Sequence, residues 1–155
     1  MTDLVEGAPA PPFNMAASAG RRVSNADYAG TPFLLYFYPK ANTPGCTQQA
    51  CAFQEALPAL AATGLAIIGV SPDAMKPIEN FAAKYSLTFP LASDPDQATA
   101  AAYGTWVEKS MYGRKYMGME RSSFLIAGDG RIARIWRKIK IPGHASEVLA
   151  AARAL

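Results

Sequence analysis

Two uninterrupted apolar runs constrain this chain more than any other feature. Residues 33–38 lie between Thr31-Pro32 and Pro39, and residues 65–71 lie between Gly64 and Pro72. Neither run alternates polar with apolar, so each reads as a buried strand, and the continuous apolar character of residues 65–71 suits a central parallel strand covered on both faces. Between them, Thr43-Pro44 places a capping side chain and a first-turn proline ahead of good helix formers. That predicts a helix to about residue 62, ended by Thr63-Gly64 and kinked or interrupted at Pro58.

The flanking segments extend the alternation of strand and helix. Ala8-Pro9-Ala10-Pro11-Pro12-Phe13 is a proline-rich extended lead-in. Residues 13–16 and 22–24 flank Ser18-Ala19-Gly20 as a hairpin. Residues 77–85 predict a helix with Ile78, Phe81, Ala82 and Tyr85 on one face, residues 89–92 a short strand, and residues 95–103 an alanine-rich helix closed by Gly104. Residues 121–127 and 131–137 form an antiparallel hairpin about Gly128-Asp129-Gly130, and residues 145–155 a closing amphipathic helix. Tyr103, Trp106, Tyr112, Tyr116 and Met117 are expected to cover a pocket or partner surface, with core packing as the alternative.

At 155 residues, half of them hydrophobic, the chain predicts one domain over 1–155. It has no apolar run of membrane-spanning length. The net charge is +3, but the densest basic stretch, residues 131–140, alternates with Ile132, Ile135, Trp136 and Ile139. That is the pattern of a solvated strand face, so neither a nucleic acid nor a membrane is expected as partner. Residues 1–7 lack the basic segment and apolar core of a secretory signal, which points to the cytoplasm, with a processed periplasmic form as the alternative. One histidine and two cysteines make a zinc site unexpected; no metal and no cofactor are called for. His144 reads as a polar residue at a helix start.

Both cysteines lie in one stretch. Cys46 falls in the first turn of the expected helix, where unpaired N–H groups and the macrodipole favour a thiolate, the nucleophilic form of sulfur. A lone cysteine is also a small buried hydrophobe, and the residues leave both readings open, although Pro39, Thr43, Pro44 and Gly45 build the kind of tight turn that presents catalytic groups. Cys51 lies five positions on. An ideal helix separates such Cα atoms by about 8.7 Å and turns them about 140° apart. A disulfide needs less than about 7 Å, so the two sulfurs can bond only if the helix start melts. The alternative for Cys51 is a core residue on the inner helix face beside Ala50, Phe53 and Leu57.

Pro39-Lys40-Ala41-Asn42-Thr43-Pro44-Gly45-Cys46 resembles the P-x-x-x-T-x-x-C signature of peroxiredoxins, and Thr43-Pro44-Gly45-Cys46-Thr47 with Cys51 is similar to the bacterioferritin comigratory protein, or PrxQ, branch. Tyr103-Gly104-Thr105-Trp106 with Glu108-Lys109, then Tyr116-Met117-Gly118, then Arg121-Ser122-Ser123-Phe124-Leu125-Ile126 resemble segments of that branch in the same order. The resemblance implies a thioredoxin-like α/β sandwich, a mixed central β-sheet flanked by helices with an N-terminal β-hairpin, and the order of elements agrees with it.

It also implies a thiol-dependent peroxidase acting on hydrogen peroxide and organic hydroperoxides. Cys46 is then the peroxidatic thiolate, Cys51 the resolving thiol, Thr43 and Arg121 the groups that hold and polarise the peroxide, and Pro39 a shield. Taken alone, Arg121 reads as a surface arginine at a strand start and Thr43 as an N-cap. Ser123 stands where relatives often carry threonine. Some members of the branch resolve with a cysteine one helix later, where this chain has Ala82-Ala83-Lys84-Tyr85. The implied cycle closes through an intramolecular disulfide, local helix unwinding and reduction by thioredoxin or glutaredoxin, in a monomer with no strong extra apolar patch. Two rival functions share these residues. A thiol:disulfide oxidoreductase would be expected to carry C-x-x-C, and a redox sensor would use the same two cysteines to change a surface.

Overall fold

A computed structural model describes residues 4–155. Nine strands, one 3-10 turn and four α-helices follow in the order β1 (Asn14–Ala17), β2 (Arg21–Ser24), the 3-10 turn (Asn25–Tyr28), β3 (Phe33–Phe37), α1 (Pro44–Ala62), β4 (Ala66–Ser71), α2 (Met75–Lys84), β5 (Leu91–Ser93), α3 (Ala98–Ala102), β6 (Trp106–Met111), β7 (Arg114–Met119), β8 (Ser122–Ile126), β9 (Ile132–Trp136) and α4 (His144–Arg153). Seven strands make one mixed sheet ordered β2-β1-β5-β4-β3-β8-β9, and β6-β7 form a separate pair. This is the thioredoxin-like sandwich, opened by its hairpin.

The two apolar runs are the middle of the sheet. β3 and β4 pair in parallel from Phe33↔Ala66 to Phe37↔Val70, and β8 lies antiparallel on the other side of β3. All five residues of β3 are buried because each face meets its own apolar layer. Leu34 and Tyr36 point with Ile67 and Leu125 toward α1, α2 and α4, through Phe53, Phe81 and Val148. Phe33, Leu35 and Phe37 point with Ile68, Val70 and Phe124 toward Phe13, Ala100 and Tyr103. Strict alternation of side chains along a strand turns one apolar run into two cores. β4 and β3 approach closely at Gly69, where an added Cβ would lie 2.8 Å from both Leu91 Cδ2 and Tyr36 Cζ.

α1 runs unbroken through Pro58. Proline there donates no N–H to the carbonyl four residues back. The helix is pinned at that level from outside, since Gln54 Nε2 donates to Thr88 Oγ1 at 2.9 Å while Thr88 N donates to Gln54 Oε1 at 2.8 Å.

Three expectations need correction. α3 is five residues long rather than spanning 95–103, because the buried Asp94 carboxylate accepts from Thr99 N and Ala100 N and starts the helix late. The strand expected over 89–92 is Leu91–Ser93, because it pairs with β4 from Gly69↔Leu91 onward. The polar-aromatic stretch after Tyr103 is an antiparallel ribbon turning at Tyr112-Gly113, both with positive φ. Tyr103 joins the core, but Met111, Tyr112, Tyr116 and Met117 are exposed, so an apolar patch is present after all.

Candidate active site

The last buried residues of β3 and its continuation, Tyr36 to Tyr38, carry the chain to a short loop and then into α1. Asn42 takes a left-handed conformation at φ 61°, which asparagine tolerates better than most residues. Thr43 is extended, Pro44 opens the helix, and the first helical hydrogen bond is Thr47 N to Thr43 O at 2.8 Å. Cys46 is thus the third helical residue, with N–H groups beside it that have no partner within the helix. The loop is held from behind by Asp73, whose Oδ2 accepts from Ala41 N at 2.7 Å and from Ser71 Oγ at 2.9 Å. That carboxylate ties the end of β4 to the loop that presents the cysteine.

The structure brings Arg121 to Cys46. Arg121 directly precedes β8, and its backbone carbonyl accepts from Ile139 N at 3.1 Å. Its Nη2 lies 3.3 Å from Cys46 Sγ, and its Nη1 donates to Gln49 Oε1 at 2.5 Å. Gln49 stands one turn beyond Cys46 on the same side of α1 and is 2% exposed. No carboxylate pairs with Arg121 among the described residues, so its charge is left to act on the sulfur. Two positive influences, a helix N-terminus and an unneutralised guanidinium, therefore converge on Sγ. Gly45 packs under the guanidinium, where a Cβ would come into van der Waals contact, 3.4 Å from both Arg121 Nη2 and Ile141 Cδ1.

The other expected residues divide. Pro39 is half-buried at the loop's start. Thr43 is the N-cap by position, but its hydroxyl does not cap α1; it donates to Lys40 O at 2.8 Å. The capping role expected of that side chain is therefore not made, and its oxygen lone pairs remain available to accept a hydrogen bond. Cys51 lies on continuous α1, partly exposed, and both cysteines are free thiols. Tyr36 and Tyr38 bury their hydroxyls on the Cys46 side of the sheet, and burial pushes both phenol pKa values up, so both are neutral.

His144 does start a helix, yet it is a core residue at 2% exposure. Its Nε2 hydrogen-bonds Ser123 Oγ at 2.9 Å, and its ring packs edgewise on Phe53 and Trp136. Burial lowers its pKa, opposed by Glu147. No cluster of metal-binding side chains occurs among the described residues.

Sequence reasoning missed Gln49 and Asp73. Gln49 had a signal in its i+3 spacing from Cys46, which places it on the same helix face. Asp73 had none beyond its place after Ser71-Pro72.

Comparison with known proteins meets this geometry. The AhpC/TSA family matches residues 7–135. Peroxiredoxin Bcp of Escherichia coli is 40% identical over 96% of both chains. The solved bacterioferritin comigratory protein of Xanthomonas campestris superposes with a TM-score of 0.88 at 42% identity, covering 92% of this chain and 90% of that one. PrxQ of Xylella fastidiosa superposes at 0.93 with 36% identity, covering 99% and 98%. Matched over nearly its whole length in both sequence and fold, the chain belongs to the peroxiredoxin family in its Bcp/PrxQ branch, whose members are thiol peroxidases.

Proposed function

We propose that Cys46 is the peroxidatic nucleophile of a two-cysteine peroxidase and that Cys51 resolves it. The observation that carries this reading is the 3.3 Å approach of Arg121 Nη2 to Cys46 Sγ at the start of α1. The Cys46 thiolate attacks one oxygen of the peroxide, the O–O bond breaks, and the departing alkoxide or hydroxide takes a proton to leave as alcohol or water. Sulfur loses two electrons and becomes a sulfenic acid. Arg121 stabilises both the thiolate and the charge that develops on the leaving oxygen, and Gln49 keeps the guanidinium fork in place. The Thr43 oxygen accepts from the peroxide hydroxyl, and Pro39 keeps bulk water from the sulfur.

Cys51 then condenses with the sulfenic acid, releasing water and forming the Cys46–Cys51 disulfide. Five positions of intact helix hold the two Cα atoms about 8.7 Å apart, so the first turns of α1 unwind in this step. A dithiol reductant of the thioredoxin type, or a glutaredoxin, restores both thiols. Every group invoked comes from one chain, which suits a monomer, and a cycle closed by dithiols suits a reducing compartment such as the cytoplasm. The Xanthomonas relative is described for alkyl peroxide reduction, and organic hydroperoxides are proposed as substrates here beside hydrogen peroxide.

The test is peroxide consumption coupled to thioredoxin, thioredoxin reductase and NADPH. The parent turns over and Cys46→Ser does not. Cys51→Ser forms a sulfenate that dimedone traps but loses thioredoxin-dependent turnover. Parent-like turnover by Cys46→Ser would remove the proposed nucleophile and move the redox-sensor reading ahead.

A further inference from the structure

The β6–β7 ribbon stands outside the seven-stranded sheet, and its outer part packs into neither core. Met111, Tyr112, Tyr116 and Met117 are four of the six large hydrophobic side chains exposed among the described residues; the other two, Val5 and Leu155, lie near the chain ends. Tyr112, at the turn, is 98% exposed. Apolar exposure gathered in one place marks an interaction surface. A two-stranded ribbon with open outer edges is also marginal in water without something packed on it.

Charge and position select the partner. Arg114 and Lys115 flank the turn, Lys115 only loosely paired with Glu108 at 3.7 Å, while the Lys109 ammonium is taken up by the Met119 carbonyl. The tip is thus apolar and net positive. Two copies of it would repel, whereas an acidic, apolar surface would be drawn to it. β7 runs through Glu120 straight into Arg121, the residue that touches Cys46. Six strand residues at about 3.3 Å each put the tip within roughly 20 Å of the site. A folded domain of about 100 residues is roughly 30 Å across, so one seated with its thiol over the start of α1 reaches the ribbon.

We propose that the β6–β7 ribbon is the docking surface for the dithiol protein that reduces the Cys46–Cys51 disulfide, a partner whose reactive cysteine is ringed by apolar side chains edged with carboxylates. This rests on the two-cysteine cycle above. The partner's thiolate attacks one sulfur of the disulfide and expels the other as a thiolate, and the partner's second thiol then breaks the mixed disulfide. Two electrons and two protons pass to this chain, and the partner leaves as a disulfide.

The experiment compares two reductants on the parent, on a Tyr112→Ser/Arg114→Glu/Lys115→Glu variant and on a charge-neutral Met111→Ser/Met117→Ser variant. One is thioredoxin with its reductase and NADPH; the other is dithiothreitol, too small to need the ribbon. The KM for thioredoxin rises roughly tenfold in the first variant and less in the second, while turnover with dithiothreitol stays within about twofold in both. An unchanged KM in both variants overturns the proposal, as does an equal loss with both reductants, which marks a damaged site. Parent activity with dithiothreitol but none with thioredoxin overturns the docking proposal and leaves the peroxidase reading standing; a parent inactive with both sinks that reading itself. Co-sedimentation of the parent, but not the first variant, with phosphatidylglycerol vesicles at unchanged KM would assign the ribbon to an anionic lipid surface instead.

Discussion

Arg121 is gripped from two sides, by the sulfur it polarises and by the Gln49 carboxamide. That division of labour makes two substitutions informative. Arg121→Ala removes a fixed cation aimed at developing charge, and kcat/KM for peroxide is expected to fall roughly 10²–10³-fold, the loss typical of one preorganised donor. Gln49→Leu leaves the cation but frees the fork to wander, and a smaller loss, roughly tenfold, is expected from misplacement alone. Stopped-flow peroxide kinetics separates the two, with circular dichroism checking that both variants fold. If Gln49→Leu matched the parent, the hydrogen bond would be packing without a positioning role. Neither partner of Arg121 is near it in sequence, and this explains why the arginine could be read from family resemblance but not from local pattern. Gln49 is an ordinary polar helix residue until β8 arrives opposite it. Thr43 misled in the reverse sense, because a strong local N-cap preference was overruled by the nearby Lys40 carbonyl.

Among elements, α1 presents both cysteines and β4 sets the tightest packing in the sheet. Forming the Cys46–Cys51 bond is expected to remove about two turns of helix from the far-ultraviolet circular dichroism of peroxide-treated protein, while Cys51→Ser keeps its helix under the same treatment. An unchanged spectrum in the oxidised parent would mean that the two sulfurs do not bond within one chain. At its closest approach to Tyr36 and Leu91, β4 has no room for a Cβ unless those side chains shift. Gly69→Ala is expected to cost about 1–3 kcal/mol through overpacking, read as a lower midpoint in urea; parent-like stability would show that the layer gives way freely. Both sheet strands and α1 were legible in the sequence because their signals are local: unbroken apolar runs, a first-turn proline, a terminal glycine. The β6–β7 ribbon was not. Its two faces both meet water, so the period-two contrast that reveals a strand is missing. α3 was overdrawn for a related reason, since its start is decided by the Asp94 side chain rather than by helix propensity.

For the molecule as a whole, the buried His144 links stability to pH. Desolvation lowers its pKa beneath the ordinary 6.5, with Glu147 pulling the other way. Below pH 6.5 the unfolded chain takes up a proton that the folded chain refuses, so stability is full above that pH and falls as the solution is acidified toward the folded pKa. The fall in Tm between pH 7.5 and 5.5 is expected to be smaller in His144→Gln than in the parent; equal falls would show that His144 does not contribute. His144 also packs on Phe53, which with the Gln54–Thr88 clamp holds α1 from just beyond Cys51 onward. In the proposed resolution step, unwinding that began at Pro44 would therefore meet a segment fastened to the sheet and to the loop before β5. What remains after oxidation is a helical template, and regaining the lost turns is propagation onto an existing end, free of the nucleation penalty that burdens a new helix. At nanoseconds per residue that reset would take on the order of tens of nanoseconds, so in the proposed cycle turnover would be timed by sulfur chemistry and the arrival of the reductant rather than by the rewinding of the helix.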